Sequence, residues 1–275
     1  MARDPAELLS RPAPPPDLTL RYGDGADHVV DVRLPRRGSG ARPLVVVVHG
    51  GFWRAAYDRA HAGPQASALA EEGYVVAVPE YRRVGQAGGG WPGTFDDTAA
   101  WSDRLVELVA DGVGPDVVDR DRVVYVGHSA GGHLALWAAA RHRLPGSSAW
   151  HRDSPLPVRG VVSLAGVCDL RLAAELDLSD GATRDLVGGD PPDVPDRYAL
   201  GDPAGLVPSG VRSVLVHGKD DANVPVTLSR TYAERARVAG DRVDLVELPG
   251  TGHFEVIDPL TPAWSAVTAA VTALL

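Results

Sequence analysis

Five segments of this chain are continuous apolar runs dominated by valine, and they restrict its fold more than any other feature. They are residues 43–48 (PLVVVV), 74–78 (YVVAV), 122–126 (RVVYV), 158–164 (VRGVVSL) and 211–216 (VRSVLV). A strand with one face in water alternates apolar and polar residues. A run without a polar phase fits a strand buried on both faces, as in a parallel sheet covered by helices. Residues 18–22 and 28–34 do alternate, with turn residues between them, and read as half-buried antiparallel strands. Residues 242–248 (RVDLVEL) supply an eighth strand. Helical stretches separate the runs at about 60–72, 94–110, 130–141, 226–239 and 262–275. Gly73 sits where a helix C-terminus favours glycine, while Pro225 and Pro262 sit at helix starts. The expected class is α/β: a doubly wound, mostly parallel eight-stranded sheet with helices on both faces.

The 275 residues suit one large domain. Residues 1–17 are proline-rich and are expected to run as an extended arm, leaving 18–275 as a single domain. Residues 168–209 lack clear periodicity and read as a cap-like excursion over the strand ends. Residues 82–93 (RRVGQAGGGWPG) contain three successive glycines and read as a flexible loop. The net charge of −9 disfavours nucleic acid. The lone Cys168 cannot form an intramolecular disulfide and reads as a small buried hydrophobe. The N-terminus has no apolar signal core, and no apolar run is long enough to cross a bilayer. A cytoplasmic protein acting on a small molecule, without a membrane partner, is the expectation; oligomeric state is unreadable.

Chemistry enters at Gly127-His128-Ser129-Ala130-Gly131, a Gly-x-Ser-x-Gly turn between a buried strand and a helix. A serine presented on such a sharp turn needs small neighbours, here Gly127 and Gly131, with Gly132 keeping the helix start thin. The helix N-terminus brings amides and a positive dipole end to any oxyanion formed there. His49-Gly50-Gly51-Phe52-Trp53 follows the first buried run.

These segments resemble the α/β-hydrolase family. The nearest likeness is its HGG-type esterase and arylformamidase branch (kynurenine formamidase-like), and it spans about residues 18–275. The resemblance implies an α/β-hydrolase fold, Ser129 as nucleophile and an oxyanion hole of the Gly51, Phe52 and Ala130 amides. The esterases usually carry a third glycine where Phe52 stands; the arylformamidases carry an aromatic pair. His49 is expected to order the loop rather than to react. The family's chain order puts the acid after the serine and the histidine last. His217, Gly218, Asp221, Val224 and Pro225 fit its H-G-x-x-D-x-x-V-P pattern, so Asp221 is the expected acid, with Asp169 as rival. His253, in a glycine-rich loop after the last strand, is the expected base. His28, His61, His142 and His151 have no comparable setting, and His128 and His133 are expected to pack the elbow. Neither a metal nor another cofactor is implied. Trp53, Tyr81 and Trp91 are candidate substrate-pocket residues. Tyr81, Arg82 and Asp97 also read as braces for the oxyanion loop, and Trp91 as either a gate or a packed loop residue. The expected activity is hydrolysis of small carboxylic esters or aryl formamides. The alternatives are an amidase or exopeptidase of prolyl-oligopeptidase type, and a non-catalytic binding protein on the same fold.

Overall fold

The computed structural model describes residues 9–37 and 40–275. Its eight strands are β1 Leu18–Arg21, β2 Val29–Arg33, β3 Arg42–Val48, β4 Val75–Pro79, β5 Val118–His128, β6 Gly160–Leu164, β7 Ser213–Gly218 and β8 Val243–Leu248. They form one sheet in the order β1-β2-β4-β3-β5-β6-β7-β8. β2 runs antiparallel to β1 and to β4, and every other neighbouring pair is parallel. Every residue of β4, β6 and β7 is buried, whereas β1 and β8 at the edges are only partly so. The valine runs are therefore the sheet interior, as their lack of a polar phase requires. β5 begins four residues before its apolar run because Val118 and Asp119 pair with Arg42 and Pro43 across a register shift.

Side chains alternate across the pleat. Val45 and Val47 face a core shared with α1 (Gly63–Glu71) and α8 (Trp264–Leu274). Leu44, Val46 and Val48 face the opposite core, shared with α2 (Gly93–Val113), α3 (Ala130–Ala139) and α7 (Thr227–Val238). α3 is buried along its whole length. No residue of it is charged, which is what burial between a sheet and further helices demands.

Residues 168–209 contain three short helices, α4 Leu170–Glu175, α5 Ala182–Val187 and α6 Pro195–Gly201. Each has six or seven residues, too few for a helical period to register in the sequence. Leu170, Leu186 and Tyr198 join the core on the α3 side. His133 Nε2 donates to the Gly201 carbonyl at 2.8 Å and Trp137 Nε1 to that of Leu200 at 2.7 Å, which ties α6 to α3.

The glycine loop at 82–93 is not the open segment its composition suggests. A methyl group at Gly89 would lie 1.8 Å from the Arg83 carbonyl oxygen, so this glycine serves close packing. The Trp91 ring packs edge-on to Phe95 and Trp150, at 5.0 and 4.9 Å. At the N-terminus, residues 11–16 carry no regular structure. Arg11 forms a bidentate pair with the buried carboxylate of Asp258, at 2.5 and 3.1 Å. No helix among the described residues is long and apolar enough to cross a membrane.

Trp137 is fully buried where α3 meets the short helices. Trp137→Ala is expected to cost about 3–5 kcal/mol, read as a lower urea midpoint. Val238→Ala, at an exposed site, is expected to stay within about 0.5 kcal/mol.

Candidate active site

Parallel strands end on the same side of the sheet, where open α/β folds bind ligands. The loops after β3, β5, β7 and β8 carry the HGG segment, Ser129, Asp221 and His253, so one edge gathers segments far apart in sequence.

Ser129 follows β5 directly, with φ 54° and ψ −119°. A left-handed serine is strained, by about 1–3 kcal/mol. Its backbone is held on both sides: its N–H donates to Leu164 O at 2.9 Å, and its carbonyl accepts from Gly132 N at 2.9 Å and Val167 N at 3.1 Å. The glycines of the motif have separate reasons. A methyl group at Gly127 would lie 2.2 Å from Gly131 O, and one at Gly131 2.0 Å from Val48 O.

The Ser129 hydroxyl is buried and makes no hydrogen bond among the described residues. It lines a cavity of about 190 Å³ together with His253 and His128. His253 Nδ1 lies 2.7 Å from Asp221 Oδ2. Asp221 Oδ1 accepts the Asn223 and Val224 amides, both at 2.8 Å. Burial would raise the Asp221 carboxyl, but hydrogen bonds from His217 and His253 outweigh it and hold it well below the usual carboxylate range. A carboxylate accepts, so Nδ1 of His253 donates and Nε2 keeps its lone pair.

His128 lies behind His253, with ring centroids 4.6 Å apart, and its Nε2 donates to the His253 carbonyl at 3.0 Å. Burial keeps the His128 imidazole neutral, its pKa far below the usual range. His217 Nε2 donates to Val224 O at 2.8 Å and lies 3.3 Å from Asp221 Oδ2, and its Nδ1 meets Ser229 Oγ at 2.7 Å. His217 thus buttresses the acid loop. Asp169, the rival acid, caps α4 by accepting from Leu172 N at 2.9 Å.

Gly51, Phe52 and Trp53 all have positive φ, which turns the loop sharply after β3. Among the described residues the amides of Gly51, Phe52 and Ala130 donate to no protein acceptor. Gly50 lies so near the elbow that a methyl group there would sit 3.1 Å from Ser129 Cβ. A second layer fixes this loop. His49 Nε2 meets Glu80 Oε1 at 2.8 Å, and the Tyr81 ring stacks on His49 while its hydroxyl donates to the His49 carbonyl at 2.9 Å. Burial alone would raise Glu80, but contact with His49 and the Arg59 and Tyr81 amides brings it down to about 2. Arg82 and Asp97 pair through several contacts, the shortest at 2.7 Å, and His28 also bonds Asp97.

Trp53 and Tyr81 are fully buried and do not line the cavity; nor does Trp91, which packs against Phe95 and Trp150. Phe52 does line it. Leu9 of the arm, Arg54, Tyr57 and His61 complete its walls with Ser179, Asn223 and Phe254. No motif marks these residues. Arg54, Tyr57 and His61 belong to the loop after β3, whose residues 53–55 pair back onto Val84. Burial pushes the His61 imidazole down to about 4. Cys168 is buried, its thiol pushed up to about 12 by burial.

The chain is 27% identical over 259 residues to isoprenylcysteine alpha-carbonyl methylesterase ICME of Arabidopsis thaliana, covering 88% of this chain and 58% of that one. It thus spans little more than half the length of that relative. It is 25% identical over 243 residues to kynurenine formamidase of Drosophila melanogaster, covering 87% of this chain and 75% of that one. A truncated carbohydrate esterase from gut microbiota superimposes with a TM-score of 0.78 at 22% identity, covering 95% of this chain and 99% of that one. That superposition shows the fold, the α/β-hydrolase fold. The BD-FAE family model matches residues 30–235, from β2 into α7, and the chain belongs to the BD-FAE family.

Proposed function

We propose that this protein is a serine hydrolase of small carboxylic esters and aryl formamides, acting through an acyl-enzyme on Ser129. The observation that carries this reading is the buried Ser129 hydroxyl, free of any protein partner among the described residues, in a cavity wall shared with an Asp221-pinned His253. A binding protein has no use for a strained serine beside an oriented base. By their names, one relative is a methylesterase and another a formamidase, and both reactions transfer an acyl group to water.

In this mechanism His253 Nε2 takes the Ser129 proton as Oγ attacks the carbonyl carbon. The amides of Gly51, Phe52 and Ala130 hold the resulting oxyanion. His253 then protonates the leaving oxygen or nitrogen, the carbonyl re-forms, and the acyl group stays on Ser129. Water, deprotonated by His253, attacks the acyl-enzyme; the carboxylic acid leaves and Ser129 regains its proton. Asp221 holds the imidazole tautomer throughout. The Ser129 hydroxyl makes no hydrogen bond to His253, and bonds of this kind tighten in a Michaelis complex.

A cavity of about 190 Å³ is close in size to an apolar cavity that holds one benzene, about 150 Å³. A short acyl group fits such a volume. Hydrolysis of 4-nitrophenyl acetate and butyrate is expected to exceed that of the dodecanoate by about tenfold or more in kcat/KM.

A fluorophosphonate probe is expected to label the wild type and not Ser129→Ala, whose kcat should fall by about 10⁶. Failure to label folded protein overturns the hydrolase reading. Asp221→Asn should lower kcat by about 10⁴, and Asp169→Asn should not. Because the folded pKa of Asp221 is depressed, its charge stabilises the fold fully above an unfolded value of about 3.9 and progressively less below it. The difference in urea midpoint between wild type and Asp221→Asn should therefore be constant near neutral pH and shrink below about pH 4.

A further inference from the structure

Arg54 is the only Lys or Arg among the described residues lining the Ser129 cavity, and no Asp or Glu side chain among them lines it. The whole chain carries −9. A site that gathers a guanidinium and excludes carboxylates, in a chain this acidic, is set up for an anion. Arg54 follows Phe52 by two residues and lines the same cavity as Ser129, so its side chain is in reach of a molecule reacting there.

The guanidinium is held without being neutralised. Its Nη1 donates to Ser179 Oγ at 3.2 Å; its Nη2 donates to the carbonyls of Ser179 at 2.6 Å and Asp180 at 3.3 Å. The one carboxylate in contact is Asp185, at 3.4 Å and half exposed. A pair so long and so wet is worth little. The Arg54 Nε donates to no acceptor among the described residues, and the Tyr57 hydroxyl and Asn223 side-chain amide, whose residues line the same cavity, make no hydrogen bond there either. Neutral acceptors on one side and unengaged donors on the other are how a guanidinium is pre-set for a charged ligand.

We propose that Arg54 is a specificity residue that recognises a carboxylate carried by the substrate, remote from the scissile bond. This rests on the hydrolase reading above and deepens it: the preferred substrates are esters or amides with a free carboxylate. A charge-assisted hydrogen bond from a partly buried guanidinium is strong enough to change relative rates about 10- to 100-fold.

The test compares matched esters that differ in the carboxylate. Mono-4-nitrophenyl glutarate against 4-nitrophenyl pentanoate puts it on the acyl side, and 4-acetoxybenzoate against phenyl acetate puts it on the leaving side. The readout is the ratio of kcat/KM, charged over neutral, for wild type, Arg54→Gln and Arg54→Lys. Arg54→Gln should lower one of the two ratios about tenfold or more, mainly through KM, and Arg54→Lys should restore much of it. Were Arg54 only a tether for the Ser179 turn, Arg54→Gln would slow both members of each pair alike. Ratios unmoved in both pairs therefore overturn the assignment. Absence of turnover of all four esters by wild type overturns the hydrolase reading itself, a distinguishable result.

Discussion

Gly131 passes β3 so closely that a single methyl group would sit 2.0 Å from the Val48 carbonyl oxygen. That approach sets the start of α3 against the end of β3, and Ser129, in the turn between β5 and α3, has a φ of 54°. The strain, about 1–3 kcal/mol, persists because both sides of the turn are over-determined. The Ser129 amide is tied to β6, and its carbonyl receives amides from α3 and from the loop after β6. Everything proposed for the chemistry depends on this one contact, since it brings the serine and the amides after β3 together.

The loops around the elbow are fixed by buried polar groups rather than by apolar packing alone. His49, Glu80 and Tyr81 form one layer beneath the Gly51–Trp53 turn, and His217 stiffens the loop that carries Asp221. Each member has a partner, as buried polar groups in a low dielectric require. By contrast, the Ser129 hydroxyl and the amides of Gly51, Phe52 and Ala130 have no protein partner among the described residues.

The outer wall comes from elsewhere in the chain. Leu9 arrives with the arm, which Arg11 clasps to Asp258, five residues beyond His253. Ser179 arrives from the run Asp177–Gly181, where four of five residues have positive φ, and it bonds Arg54. Leu9 and Ser179 thus reach the cavity from segments far in sequence from the loops that carry Ser129, Asp221 and His253.

The valine runs, by lacking any polar phase, required strands buried on both faces, and eight strands stand where they were expected. The spacing of Gly127, Ser129 and Gly131 made the elbow legible, because only that spacing satisfies its sterics. Asp221 and His253 were legible from loop patterns and chain order, and in the structure they touch. Helices α4–α6 were not legible, because two turns of helix cannot display a period. Nor was the cavity wall: Arg54, Tyr57 and His61 belong to no motif, while Trp53 and Tyr81 are turned into the core and Trp91 packs against it. Local backbone sterics and burial are written residue by residue and can be read from the sequence. Which side chains face a cavity depends on how loops fold back over the sheet edge, and only the tertiary structure decides that.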